Sequence, residues 1–311
     1  MTAKQKIAFI INPVSGKGKN RNLAKLLSKK FNSDAWEHEI LFTKYQGHAS
    51  ELVKECRQNN FDIVVAVGGD GTVNEVASAA YTEGLIMGII PNGSGNGLAR
   101  SLRIPINHKI AIYIIKKGHL TRIDLGSVQD RYFFCTCGSG FDAHIGYKFS
   151  KSETRGFKTY IKMILREFFG YGSKKFKLKL DGQKYTKRAF LVTVANAGQY
   201  GNNAYIAPKA KLNDGKLEVS VLKPFPWYKA LQLALRLFAR NIDRSRYIET
   251  FQVEKVTFRK KKEYEFHIDG EPLILQGPVK IRIIPKGLNV IVPAIPFPFL
   301  TDLQFQKQRD R

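Results

Sequence analysis

The run Val64-Val65-Ala66-Val67-Gly68-Gly69-Asp70-Gly71-Thr72-Val73-Asn74-Glu75-Val76 constrains this chain more than any other stretch. An apolar β-run meets glycines, an aspartate and a threonine, and a helix opens directly after them. Glycines at a strand-to-helix turn let the backbone approach a phosphate, and the first helical turn presents unpaired N–H groups to it. A carboxylate at such a turn, here Asp70, implies a cation between it and the phosphate. That points to a Mg²⁺–nucleotide and to phosphoryl transfer. An ordinary turn with a Thr72-x-x-Glu75 capping box would account for those two residues but not for Gly68, Gly69 and Asp70 together.

Up to about Asp124, β-runs alternate with helical stretches. Ile7–Ile11 reads as a first strand, followed by a helix near Leu23–Phe31, a strand at Glu37–Phe42 and an amphipathic helix through Cys56. Ile63–Val67 is almost wholly apolar, as a central parallel strand covered on both faces should be. Leu85–Ile90 is another strand, a short helix carries Leu98 and Arg100, and Ile110–Lys117 is helical. Three polar, glycine-rich loops follow strands and precede helices: Asn12–Gly18, Gly68–Thr72 and Asn92–Gly97. In an open parallel sheet such loops gather at the carboxyl edge, where ligands bind. None fits G-x-x-x-x-G-K-[ST] or G-x-G-x-x-G, so the architecture differs from the P-loop and Rossmann sites.

Beyond Gly126 the pattern becomes a succession of β-runs with Asp-Gly turns, which predicts a β-sandwich or flattened barrel. Expected strands include Tyr132–Cys137, Lys175–Leu180, Phe190–Ala195, Leu217–Leu222, Val253–Phe258, Tyr264–Ile268, Leu273–Leu275 and Val279–Ile284. Two helices interrupt them, Phe157–Phe169 and Trp227–Arg240; a core-facing amphipathic role is the default for both, with a membrane-contacting role, through Phe157, Ile161, Ile164, Phe168 and Phe169 in the first, as the alternative. The fold class is therefore α/β followed by all-β: a parallel-sheet domain over residues 1–125 and an antiparallel β-sandwich over 126–291. The segment 292–311, with its aromatic Pro296–Leu300, is expected to pack back on the first domain.

Charge is lopsided, with 51 Lys+Arg against 26 Asp+Glu and a formal net charge of +25. Such an excess attracts polyanions: nucleic acid, anionic membrane or nucleotide. The basic residues are dispersed, apart from Arg259-Lys260-Lys261-Lys262, and no zinc-finger or RRM-like signature accompanies them. Nucleic acid is therefore not the expected partner, whereas anionic lipid headgroups explain the charge equally well. Cys56, Cys135 and Cys137 give no disulfide framework and read as reduced thiols. No secretory h-region and no membrane-spanning apolar run is present, so a cytoplasmic protein, at most peripheral to the membrane, is expected. Homodimerisation is left open.

Several motifs occur in a fixed order: Asn12-Pro13-x-Ser15-Gly16, Thr43 with Gly47-His48-Ala49, Gly68-Gly69-Asp70-Gly71-Thr72-x-Asn74-Glu75, Pro91-x-Gly93-Ser94-x-Asn96-x-Leu98-Ala99-Arg100, and Asp269-Gly270-Glu271. From about Lys6 to Val292 the chain resembles the diacylglycerol kinase catalytic-domain family, which includes soluble bacterial lipid kinases and the sphingosine and ceramide kinases. A GGDG loop alone also occurs in 6-phosphofructokinases and NAD kinases; the ordered set is the specific signal.

The resemblance implies a two-domain, ATP- and Mg²⁺-dependent lipid kinase: an NAD-kinase-like α/β domain, a β-sandwich, and an active site in the cleft between them. Its nucleotide contacts would fall on Asn12, Pro13, Val14, Ser15, Gly16, Thr43, Gly68, Gly69, Asp70, Gly71, Thr72, Val73, Asn74 and Ser94, with Lys17 within reach of a phosphate. Glu271 would be the catalytic base, with Asp269 orienting it or helping to hold Mg²⁺, and Asp70 beside them. Read without any family, Asp269-Gly270 is a strong type I′ hairpin signal that is silent on Glu271. A structural Mg²⁺ would sit on Asp214 and the carbonyls of Lys211 and Lys216, although Asn213-Asp214-Gly215 is equally a good turn. Asp124 would join a carboxylate network with Asp70, or else make an interdomain polar contact.

Asn96-Gly97 departs from the Asn-Asp of many bacterial members and looks more like sphingosine kinases, whereas Gly140-Phe141-Asp142-Ala143 looks more like diacylglycerol kinases. Asp142 and His144 would line the acceptor pocket or form a structural pair. The acceptor is a lipid such as diacylglycerol, with a sphingoid base, ceramide or NAD as alternatives.

Overall fold

The alternation of apolar β-runs with helices carrying one apolar stripe builds the first lobe. The structure is a computed structural model that describes residues 4–16, 20–152, 157–259 and 263–294. Lys17, Lys260–Lys262, Pro296–Leu300 and nearly all of the expected C-terminal packing segment lie outside the described residues. In chain order come β1 (Gln5–Ile11), α1 (Asn20–Phe31), β2 (Trp36–Phe42), α2 (His48–Gln58), β3 (Ile63–Gly68) and α3 (Asp70–Glu83). These are followed by β4 (Ile86–Pro91), α4 (Gly97–Ser101) and α5 (His108–Lys117). The strands pair in parallel in the order β2-β1-β3-β4. β3 is buried along its whole length, as its lack of polar residues requires. Leu23, Leu27 and Phe31 of α1, and Val73, Val76, Ala77 and Ala80 of α3, recur at helical spacing and supply the buried faces.

The second half begins with β5 (His119–Val128), β6 (Arg131–Phe133), β7 (Thr136–Gly140), α6 (Phe141–Ser150) and α7 (Phe157–Phe168). It continues through β8 (Lys174–Leu180), β9 (Gln183–Ala189), β10 (Leu191–Ala195), β11 (Leu217–Leu222), a 3₁₀ turn at Trp227–Lys229 and α8 (Ala230–Phe238). It ends with β12 (Ile248–Val253), β13 (Lys255–Phe258), β14 (Tyr264–Ile268), β15 (Glu271–Leu275) and β16 (Val279–Val292). One antiparallel sheet runs β12-β11-β10-β7-β14-β15. It faces β13, β8 and β9 across a core that includes Phe133, Leu178, Val192, Val219, Phe258 and Phe266. Helices α6, α7 and α8 cover its other face around Phe141, Ile145, Phe190 and Leu233.

Two long strands weld the lobes. β16 pairs with β13 through Val279–Arg282, shifts register between Ile284 and Leu288, and then lies parallel to β4 at Val290↔Met87. β5 follows it on both sides of that shift. At the irregularity the buried Asp124 carboxylate accepts the amides of Lys286 and Gly215, each at 2.7 Å, while its own amide donates to the Leu212 carbonyl at 2.6 Å. Both of its oxygens thus serve the interlobe seam and the 211–216 loop, which corrects the expected network with Asp70.

Three further expectations change. Tyr132–Cys137 is not one strand: β6 belongs to the first sheet and β7 to the second, and the intervening amides turn onto a carboxylate described below. α6, β9 and β12 were not foreseen as separate elements. The helices α7 and α8 are only partly core-facing. Ile164 and Phe168 pack inward, but Ile161, Leu165 and Phe169 are exposed, and Leu233 is the only fully buried residue of α8. The side chain of Phe157 lies outside the described residues.

Replacing Asp124 by Ala leaves the part-buried Gly215 and Lys286 amides without their acceptor, which costs at most about 1–3 kcal/mol for each. Urea unfolding followed by tryptophan fluorescence should show a lower midpoint for Asp124→Ala, with Asp124→Asn falling in between.

Candidate active site between the lobes

The three glycine-rich loops do converge at the carboxyl ends of β1, β3 and β4, and hydrogen bonds between them fix their spacing. The Asn12 amide donates to Val67 O at 3.0 Å, and the Asn92 amide donates to Gly68 O at 2.8 Å. The Asn12 side chain donates to Thr72 Oγ1 at 3.1 Å and accepts from the Val14 amide at 3.0 Å. Asn20 is the buried organiser: its Nδ2 donates to the carbonyls of Asn12, Pro13 and Ser15 at 3.1, 2.7 and 2.8 Å. Its Oδ1 accepts from Asn92 Nδ2, which also donates to Ser15 Oγ. A lone asparagine at a helix start carries no sequence signal for this role. Gly69 and Gly93 meet Cα to Cα, so close that a Cβ on Gly93 would collide with the Gly69 backbone. Val14 and Ser94 stand exposed at the rim, and Thr43 is buried with its amide on Ile11 O.

Asp70 opens α3 and reaches across to the next loop, where its oxygens accept the amides of Asn96 at 2.9 Å and Gly97 at 2.6 Å. The carboxylate that suggested a cation is thus held by backbone, while each oxygen retains acceptor capacity. Burial pushes its carboxyl above the ordinary range against the opposing pull of those amides and of Arg100. The capping box is not formed: Gly69 caps α3 without a side-chain bond. Glu75 instead turns outward and accepts the amides of Gly47 at 2.9 Å and Ala49 at 3.3 Å, so it caps the neighbouring α2.

Asp269 and Gly270 both have positive φ and join β14 to β15 in a two-residue turn, the type I′ hairpin expected of Asp-Gly. The Asp269 side chain is fully engaged. One oxygen accepts the amides of Cys135 and Thr136 at 2.8 and 2.9 Å, and the other accepts the Phe134 amide and Asn74 Nδ2, both at 2.8 Å. Four donors fill the four lone pairs, leaving none for a metal or for Glu271. The expectation that Asp269 holds Mg²⁺ is thereby corrected, and any orienting of Glu271 acts through the hairpin turn that Asp269 begins. The Asp269 carboxylate also diverts Asn74, expected at the nucleotide, into an interlobe tie that includes Tyr132 O at 3.1 Å.

Held in this way, the first residue of β15 lies against the phosphate-loop turn. Glu271 Oε1 sits 3.1 Å from where a Cβ on Gly71 would be. Glu271 lines a cleft of ≈ 930 Å³ with Asn74, Glu75, Lys54 and Arg131 from the first lobe and its seam, and with Gly146, Phe149 and Ser150 of α6. Burial, and then the Glu75 charge, push its carboxyl above the ordinary range; Arg131 opposes them and Asp269 adds to them. A half-buried carboxylate with raised proton affinity, facing a cleft beside a glycine-rich helix start, can accept a proton from a bound hydroxyl. Lys54, Arg131 and the cleft role of Glu75 escaped the sequence reading, because each becomes relevant only where two lobes meet.

The remaining candidates lie elsewhere. Asp214 Oδ1 accepts the Lys216 amide at 3.1 Å in a local turn, with Lys211 at the start of the same loop. Among the described residues no cluster of three acidic, His or Cys side chains is poised to hold a metal. Asp142 and His144 do not pair. Asp142 accepts from Thr193 at 2.8 Å and Tyr200 at 2.9 Å and lies 3.1 Å from His267 Nε2. His144 bridges Glu265 and Glu167 at the mouth of a second cavity of ≈ 1060 Å³.

Comparison with known proteins finds relatives of both lobes. Residues 6–128 match the diacylglycerol kinase catalytic domain, and residues 135–292 match the YegS C-terminal NAD kinase beta sandwich-like domain. The diacylglycerol kinase of Bacillus subtilis is 28% identical over 270 residues, spanning 85% of this chain and 88% of that protein. A protein of Pectobacterium atrosepticum named "Probable lipid kinase YegS-like" is 26% identical over 297 residues, 93% of this chain and 97% of its own. A crystal structure of a diacylglycerol kinase from Bacillus anthracis superposes with a TM-score of 0.68 at 25% identity, covering 94% of this chain and 98% of that one. With its glycine-loop lobe and its sandwich lobe both matched, the chain belongs to the family that joins a diacylglycerol kinase catalytic domain to a YegS-type C-terminal β-sandwich.

Proposed function

We propose that this protein is an ATP-dependent lipid kinase that transfers the γ-phosphoryl group to the hydroxyl of a lipid such as diacylglycerol, with Glu271 as the base. The observation that carries this reading is the Glu271 carboxylate, which lines the cleft and lies against Gly71 of the glycine-rich turn that opens α3. The names of the relatives support the lipid as acceptor.

The nucleotide phosphates take the unpaired amides at the start of α3, with the Asn12–Gly16 and Asn92–Gly97 loops flanking them. Glu271 removes the acceptor's hydroxyl proton as its oxygen bonds to the γ-phosphorus. The bond from phosphorus to the β–γ bridging oxygen breaks, and ADP leaves with that oxygen. Arg131 and Lys54 supply positive charge to the cleft as negative charge spreads over the transferring group. Asp70 suits Mg²⁺: it is largely buried, its charge is only partly offset by two amides, and each oxygen retains a lone pair. When bound there, Mg²⁺ neutralises phosphate charge. Asp214, with the carbonyls of Lys211 and Lys216, suits a second ion that keeps most of its waters.

Incubation with γ-labelled ATP, Mg²⁺ and separated lipids should give a labelled phospholipid, and product with NAD instead of lipid would overturn the assignment. Glu271→Gln should lower kcat by about 10²–10⁴-fold with nucleotide affinity nearly unchanged; unaltered turnover would remove Glu271 from the chemistry.

The base must be ionised to act, and its proton affinity is raised. Activity should therefore fall as pH drops through a value above the ordinary carboxylate range. Glu75→Gln removes a charge that raises Glu271, so the acid limb of log(kcat/KM) against pH should move to lower pH. A limb that stays in place would show that the two carboxylates do not communicate.

A further inference from the structure

The helices over the second sheet leave an apolar face uncovered. Trp227, Leu231, Leu235 and Phe238 recur at helical spacing along the 3₁₀ turn and α8, with Trp227 68%, Leu231 71% and Leu235 61% exposed. Leu233, on the opposite side of α8, is the residue that anchors the helix to the core. α7 contributes a parallel feature: Leu165 is 64% and Phe169 77% exposed. Aromatic contacts join the two ridges, from Phe169 to Phe168 at 5.3 Å and from Phe168 to Phe225, two residues before Trp227, at 6.1 Å. Large apolar side chains gathered on one layer mark an interaction surface.

The charge around the face selects its occupant. Lys229, Arg236, Arg240, Arg244 and Arg246 follow Trp227 within the next nineteen positions. The only acidic residue among them, Asp243, is paired with Lys209 at 3.1 Å. Lys162 and Arg166 stand exposed on α7. A second copy docking by two-fold symmetry would set these cations against one another. An anionic bilayer neutralises them, receives the apolar ridge and accommodates a tryptophan at headgroup depth.

We propose that α8 and the adjoining end of α7 form the surface on which this protein seats itself on an anionic lipid bilayer, with Trp227 and Leu231 inserted. The inference rests on the lipid-acceptor reading and gives that reading a route. α6 contributes Phe141 and Ile145 to the core beneath α7 and α8, and Gly146, Phe149 and Ser150 to the cleft that holds Glu271. α6 thus packs against α7 of the bilayer-facing layer and lines the cleft.

The test is flotation of the full chain with vesicles of phosphatidylglycerol and phosphatidylcholine in equal parts, against phosphatidylcholine alone. Bromine-labelled acyl chains are used to quench tryptophan. Trp227 is one of two tryptophans, and the other, Trp36, packs against Phe31 in the first lobe. The expected result is flotation and quenching with the anionic vesicles only, weakened by about 0.5 M salt. The double variant Leu231→Asp/Leu235→Asp should bind about tenfold less while phosphorylating detergent-dispersed lipid normally. Equal flotation of variant and wild type would overturn the proposal, as would no flotation on anionic vesicles. So would a lipid-free dimer that the double variant splits. Failure to phosphorylate any lipid, with flotation intact, would sink the acceptor reading and leave the docking surface standing.

Discussion

Four N–H donors meet on the Asp269 carboxylate, and the candidate site depends on that convergence. The amides of Phe134, Cys135 and Thr136 fix the point where the chain leaves the first sheet for the second. Asn74 brings in the helix whose first turn flanks the phosphate loops. The same residue begins the tight turn that presents Glu271. One side chain therefore ties the α3 helix, through Asn74, to the turn that presents Glu271 from the other lobe. Removal of such an acceptor from a buried site strands several donors at once, each at a cost of about 1–3 kcal/mol. The hub is a positioning residue, and its charge also raises the proton affinity of Glu271.

The chemistry of the cleft follows from how its carboxylates are held. Asp70 and Asp269 are tied by backbone amides, and Glu75 by the start of α2, so their positions are fixed before any ligand arrives. Glu271, with Glu75 and Asp269 as like-charged neighbours, is the group whose ionisation is disfavoured both by burial and by other carboxylates. Environments that differ in this way separate a structural acid from a working base. Lys54 and Arg131 add positive charge to the cleft that Glu271 lines.

Much of this was legible in the chain itself. The uninterrupted apolar β3, the glycine loops after β1, β3 and β4, and the Asp-Gly turn before Glu271 each carry a local physical cause. What was not legible has a common origin. The capping role of Glu75, the organiser Asn20, the hub role of Asp269 and the seam role of Asp124 all involve partners from 5 to 195 positions away. Spacing cannot reveal a bond whose partner is set by the packing of sheets. The strand expected over Tyr132–Cys137 failed for the same reason: its apolar pattern was right, but a distant carboxylate divided it between two sheets.

The order of most elements, the glycine-rich loops of the first lobe and the Asp-Gly turn before Glu271 were determined by the sequence. They rest on backbone freedom, side-chain periodicity and local turn chemistry, which act over a few residues. Which carboxylate faces the cleft, which is consumed as scaffold, and which helix face remains without a protein partner were decided by the tertiary structure alone. These depend on how many donors reach a given oxygen and on which surfaces the two lobes cover, quantities that exist only once β5 and β16 have joined the lobes.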